Sequence, residues 1–119
     1  MKYTSHDKRR YYEERSTDPN ITEGQRRWAK NVARGIAAKQ RDIDSHTSQS
    51  YLDRIVKDNK TLIDYNQETV NEYIAREKNG ERGWKSSREE YQDKVAYHKG
   101  AQIVIDEEVN RRNKKRWRP

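Results

Sequence analysis

The side chains best suited to do chemistry in this chain are cations, and they are unevenly placed. The last nine residues hold Arg111, Arg112, Lys114, Lys115, Arg116 and Arg118, with Trp117 among them and no carboxylate. Such a cluster attracts a polyanion, because each neutralised phosphate releases condensed counterions, and an aromatic between cations can stack on an unpaired base. A Trp beside Arg residues is equally a common anchor in a protein pocket, so an acidic protein surface is the second partner these residues suit. Further upstream, Arg26, Arg27, Lys30 and Arg34 offer a strip for a phosphate backbone, followed by Lys39 and Arg41. No helix-turn-helix signature accompanies them, so backbone contact is expected and base reading is not.

The constellations that would make an enzyme fail one by one. His6, His46 and His98 are isolated from one another, and cysteine is absent. That leaves no HxxxH or HExxH pair, no thiolate ligand and no Cys nucleophile. The carboxylate pairs Glu89-Glu90 and Glu107-Glu108 resemble acid–base candidates, but no nucleophile–base pairing goes with them. Asn79-Gly80-Glu81-Arg82-Gly83 has two glycines and lacks the spacing and Lys of a P-loop. The expectation is a binding protein with no catalytic residues, no metal and no cofactor.

The charge becomes informative when it is divided along the chain. Net charge is +1 over residues 1–20, +3 over 21–46, −1 over 47–79, −2 over 80–110 and +6 over 111–119, for +7 overall. The interior is therefore nearly neutral although densely charged, which suits solvated helix faces. Apolar material is scarce. Leu, Ile and Val total 16 of 119 residues and Phe is absent, so the eight Tyr and three Trp must supply much of the buried area. So small a core is expected to be completed by self-association or by a larger complex. No run approaches 18 apolar residues, and the N-terminal MKYTSHDKRRYYEER has no apolar stretch of the kind a secretory signal needs. Neither membrane insertion nor secretion by a recognisable signal peptide is expected. The expected location is intracellular or within a nucleoprotein particle.

The elements that must position these cations read as all-α. The only prolines are Pro19 and Pro119, so nothing breaks the body between them. A short helix is predicted from about residue 5 to 16, then a turn at Thr17-Asp18-Pro19-Asn20, then a capping box of Thr22 with Gln25. A second helix runs to about residue 44, with Trp28, Val32, Ile36, Lys39 and Ile43 on one face. Ala29, Ala33 and Ala37 form a small-residue row beside it that would admit a close neighbour. A third helix spans about residues 48–78 with Thr47 or Ser48 as cap. Its rows repeat every seven residues: Val56, Ile63 and Val70, beside Leu52, Asn59, Asn66 and Tyr73. Ile63 is expected at the centre of the stripe, and the two asparagines at its wet edge. After the Asn79–Gly83 turn, Ser86 with Glu89 and Ser87 with Glu90 suggest capping boxes for a fourth helix that can continue to Arg116. Gly100 in its interior marks a kink, a frayed point or a close contact.

Short connections make successive helices antiparallel. The fold expected is thus an antiparallel three-helix bundle or long helical hairpins over 21–110, with a short N-terminal helix and turn (1–20) and a basic tail (111–119). In that arrangement the C-terminal ends of the second and fourth helices share one pole. That pole would be basic. The expected function is non-enzymatic binding of a nucleic-acid backbone at this pole, the alternative being a structural, adaptor or inhibitor module whose Trp-containing tail docks an acidic protein. The composition would suit a small virion or mobile-element component in either case.

Overall fold

A computed structural model describes residues 3–116 of the chain, so Trp117 and Arg118 lie outside the described residues. Every regular element among these residues is an α-helix: α1 (Ser5–Arg15), α2 (Glu23–Asp42), α3 (Gln49–Lys78) and α4 (Lys85–Arg116). The all-α expectation holds. Helix starts follow local chemistry. Thr22 Oγ1 accepts from the Gln25 amide at 3.1 Å while Gln25 Oε1 accepts from the Thr22 amide at 3.0 Å. This reciprocal pairing satisfies two of the orphan donors of α2. Thr4 and Asp7 do the same for α1, and Ser48 caps α3.

The start of α4 differs from expectation. The helix begins at Lys85, so Ser86 and Ser87 already lie inside its first turn and neither serves as its N-cap. The carboxylates assigned to those boxes make ion pairs instead: Glu89 with Arg27 at 2.7 Å and Glu90 with Lys94 at 3.7 Å. Gly80 and Gly83 take φ of 86° and 93°, which lets the chain reverse between α3 and α4 without a Cβ clash.

α4 is the central helix. Along α4, Asp93 meets Arg27 near the start of α2 and Tyr97 then meets Gly35 further on, so these two helices run parallel. Against α3 it runs antiparallel, with Glu77 bonded to Arg88, Asn59 to Gln102 and Gln49 to Arg112. α1 lies on α2 and touches α4, where the Glu107 carboxylate accepts from the Ser5 amide at 2.6 Å and its hydroxyl at 2.8 Å. An anion at the first turn of α1 is favoured by the helix dipole. The backbones of α2 and α3 nowhere come within 8 Å (Cα to Cα).

This placement explains the sequence of α4. A helix flanked on two sides must bury a broad face, and Val95, Ala96, Gly100, Ala101, Val104 and Ile105 are all buried. Ile36 and Leu52 join Ile105 in the core with no exposed surface. Where α2 passes α4, Gly35 and Gly100 face each other's helices reciprocally. A Cβ on Gly35 would overlap the Tyr97 carbonyl, and one on Gly100 the Val32 carbonyl. The close helix contact therefore falls at Gly35 and Gly100, and of the kink, frayed point or close contact expected at Gly100 it is the contact that the structure shows.

α3 has a single helical neighbour and buries a narrow stripe. Ile63 is only half-buried, while Leu52, Asn59, Asn66 and Val70 face inward, which corrects the placing of Ile63 at the centre. The asparagines are not at a wet edge either. Asn59 is 5% exposed, and its amide donates to the His98 carbonyl at 3.0 Å and Gln102 Oε1 at 2.8 Å. Asn66 donates back to the Leu62 carbonyl at 2.7 Å. Burial is tolerated because each amide finds a partner, and the Asn59 bonds fix the register of α3 on α4.

Candidate polyanion-binding pole

The candidate cations divide into three groups according to what each touches. The first group is committed to holding the fold. Arg26 donates from Nη1 to the Asp18 carbonyl at 3.1 Å and the Ile21 carbonyl at 2.5 Å, pinning the turn that precedes α2. Arg27 reaches across to α4, pairing with Asp93 at 2.7 Å and Glu89 at 2.7 Å. The Asp93 hydrogen bond, followed by the charges of both carboxylates, holds the Arg27 guanidinium above its ordinary pKa. Lys39 pairs with Asp42 at 2.9 Å, which together with the Tyr51 hydroxyl lowers the Asp42 carboxyl.

Arg111 and Arg112 also belong to this group. Glu108 is 7% exposed, and a buried carboxylate needs compensating charge. Arg111 supplies it in a two-pronged contact at 2.6–3.2 Å, with Arg112 at 3.7 Å. Arg112 further donates to the Thr47 carbonyl at 2.6 Å, the Asp44 carbonyl at 3.4 Å and Gln49 Oε1 at 3.2 Å. It thereby ties the end of α4 to the α2–α3 connection. Arg112→Ala should cost about 2–3 kcal/mol, the scale of charge-assisted hydrogen bonds lost from a partly buried site. Lys115→Ala should stay within about 0.5 kcal/mol. Urea unfolding of both variants checks the contrast, and equal midpoints would show that the clamp is not structural.

The second group is the outward line of α2. Lys30, Arg34 and Arg41 are exposed and fall within one narrow sector of the helix, because residues four and eleven apart return to nearly the same angle. The line is about 16 Å long at 1.5 Å per residue. Among the described residues none of the three has a hydrogen-bond or ion-pair partner. The third group is the last turn of α4. Because Arg112 is level with the α2–α3 connection, the helix from Asn113 runs past it. Asn113, Lys114 and Lys115 are exposed there, and Arg116 closes the helix. Residues 111–116 therefore extend α4 and do not form a separate tail. Cations at a helix C-terminus also complement the helix dipole.

The shared pole is real in position, since Arg112 of α4 touches the connection that follows α2. Its surplus charge is smaller than the sequence suggested. Glu108 and Asp42 absorb Arg111, Arg112 and Lys39, and Arg27 is absorbed by Asp93 and Glu89 at the other end of the molecule. The i,i+3 and i,i+4 spacing of Glu108 to Arg111 and Arg112 was a readable signal for this clamp.

His98 is partly buried between α3 and α4, and its pKa is lowered, first by burial and then by the charges of Lys39 and Lys94. The unfolded chain then binds the proton more readily than the folded one. His98 consequently contributes stability that is full above about pH 6.5 and is lost as pH falls from there through the depressed folded value. Melting temperatures measured across this range should drop on acidification, with a shallower drop for His98→Gln. Parallel curves for the two proteins would contradict this.

Among the described residues there is no group of three or more His, Asp or Glu side chains arranged to hold a metal ion. No helix among them is long and apolar enough to cross a membrane. No family model, curated protein or solved structure matches the chain.

Proposed function

We propose that this protein binds the backbone of a nucleic acid, without catalysis, through the C-terminal end of α4 and the outward line of α2. The observation that carries the reading is the run of cations at the end of the sequence, Lys114, Lys115, Arg116 and Arg118, with no Asp or Glu after Glu108; the first three stand in the last turn of α4. Lys30, Arg34 and Arg41 add a second exposed line of the same sign. Phosphate contact of this kind positions a protein on a duplex or single strand without reading its bases. Trp117 lies within the basic run, where a ring can stack on an unpaired base.

The competing reading is an acidic protein surface as ligand. It draws on the same Trp117 and arginines, and no separate feature favours it. Fluorescence anisotropy of labelled duplex and single-stranded oligonucleotides, titrated with nuclease-treated protein at low salt, distinguishes the two. Saturable binding to either polymer is expected. Absence of binding to both would overturn the proposal.

A further inference from the structure

α1 is joined to α4 through Ser5 and Glu107, and beside that junction an open cleft of about 920 Å³ lies between the start of α1 and the C-terminal part of α4. Its α4 wall is one stripe of the helix, Ile103, Asp106, Asn110 and Asn113 at i, i+3, i+7 and i+10, which leads toward the cationic last turn. Opposite stand Tyr3, just ahead of α1, and Lys8. Part of the lining is already committed. Glu107 accepts from the Ser5 amide and hydroxyl, and Arg111 is held by Glu108. The rest is open. Tyr3 is 69% exposed, and no ring or cation packs on it among the described residues. Among those residues the Lys8 ammonium has no ion pair and the Asn110 and Asn113 amides have no hydrogen bond. Ile103, partly buried against the core, supplies an apolar floor.

These groups match the parts of a nucleotide: a π-face for the base, amides for its polar edge and a cation for its phosphate. Asp106 selects against an acidic side chain as the occupant. One of its oxygens accepts from Gln102, and a second carboxylate beside it would be repelled, whereas the amino group of a base donates to a carboxylate. We propose that the cleft takes one unpaired nucleotide of a single strand, its base stacked on Tyr3 over Ile103 and its phosphate at Lys8. The neighbouring phosphates then run on to the cationic end of α4. This inference rests on the nucleic-acid reading and gives that site a preference for single strands. Inside a duplex both faces of a base are covered by its neighbours, so the Tyr3 ring has nothing to stack on.

The test is anisotropy of the nuclease-treated full chain with a labelled single strand, and with a duplex long enough for internal sites to outnumber its ends. Tyr3→Ala should weaken single-strand binding about fivefold or more and leave duplex binding within about twofold. Tyr3→Phe should keep the affinity of the intact chain, because the ring is what stacks. Tyr65→Ala, 60% exposed on α3 and outside the cleft, should change neither. Tyr3 is exposed and precedes α1, so circular dichroism should show all three variants equally helical. Absence of binding to both polymers by the intact chain defeats the nucleic-acid reading and this inference with it. Binding that Tyr3→Ala leaves unchanged, or lowers equally on both polymers, overturns the cleft proposal alone, as does a loss with Tyr3→Phe as large as with Tyr3→Ala.

Discussion

Gly100→Ala is expected to destabilise the protein by about 3 kcal/mol, the upper part of the range for overpacking a filled interior. Helix propensity alone argues the other way, since alanine is favoured over glycine by about 1 kcal/mol in a helix interior. Geometry decides the sign. The new Cβ would overlap the Val32 carbonyl oxygen and stand 2.9 Å from its carbon and 3.0 Å from the Ile36 nitrogen. These are backbone atoms of α2 and cannot rotate away. Relief requires the two helices to separate, which loosens Ile36 and Ile105, both with no exposed surface. Gly35→Ala meets the Tyr97 carbonyl in the same manner, so the double variant should cost less than the sum, because one separation relieves both clashes. Gly24→Ala is the control. Its Cβ would find only Thr22 Oγ1, at 4.0 Å, so stability should hold or rise slightly. Urea denaturation measures all four proteins. An unchanged midpoint for Gly100→Ala would mean that α2 and α4 do not cross at the glycines.

Removing residues 114–119 should abolish most nucleic-acid affinity while leaving the fold in place. The deletion takes away Lys114, Lys115, Arg116 and Arg118 together with Trp117, but spares Arg111 and Arg112. That boundary matters. A cut at residue 111 would also release Glu108 and the α2–α3 connection from their arginine clamp, and weakened binding could then come from unfolding. Each phosphate neutralised contributes about 0.9 to the slope of log affinity against log salt for duplex DNA. Four cations lost therefore correspond to a slope reduced by up to about 3.6 units. Loss of the Trp117 stacking face should add roughly 1–3 kcal/mol on single strands alone. Substituting Lys30 and Arg34 by alanine should lower the slope by at most about 2 units and affect both polymers alike.

Much of the fold was legible because it depends on neighbours in sequence. The Thr22–Gln25 capping box, the Gly80 and Gly83 reversal and the heptad rows of α3 are local signals, and each helix lies within a few residues of its expected span. Pairings across the fold were not legible. Nothing in the sequence links Arg27 to Asp93, 66 residues away, or shows that Asn59 will find the His98 carbonyl on α4. Periodicity placed Ile63 and the asparagines on one stripe but could not say that α3 would have a single neighbour, which is what narrows the buried sector. For the candidate site, block-by-block charge located the pole and overstated it. Net charge does not record that Glu108 sits one turn before Arg111 and Arg112, or that burial of this carboxylate would commit both. Ser86 and Ser87 show the limit of a motif. A capping box needs its serine just outside the helix, and α4 starts early enough to place both inside.

The most direct measurement is the affinity of the intact chain and of the chain lacking residues 114–119 for one short DNA duplex, followed across a salt series by anisotropy. Log affinity should fall linearly with log salt for the intact chain, and the slope should be shallower by about 3 units or more in the shortened one, with both proteins equally helical. Identical slopes would contradict a phosphate-binding end on α4, and so would tight binding that salt leaves unchanged.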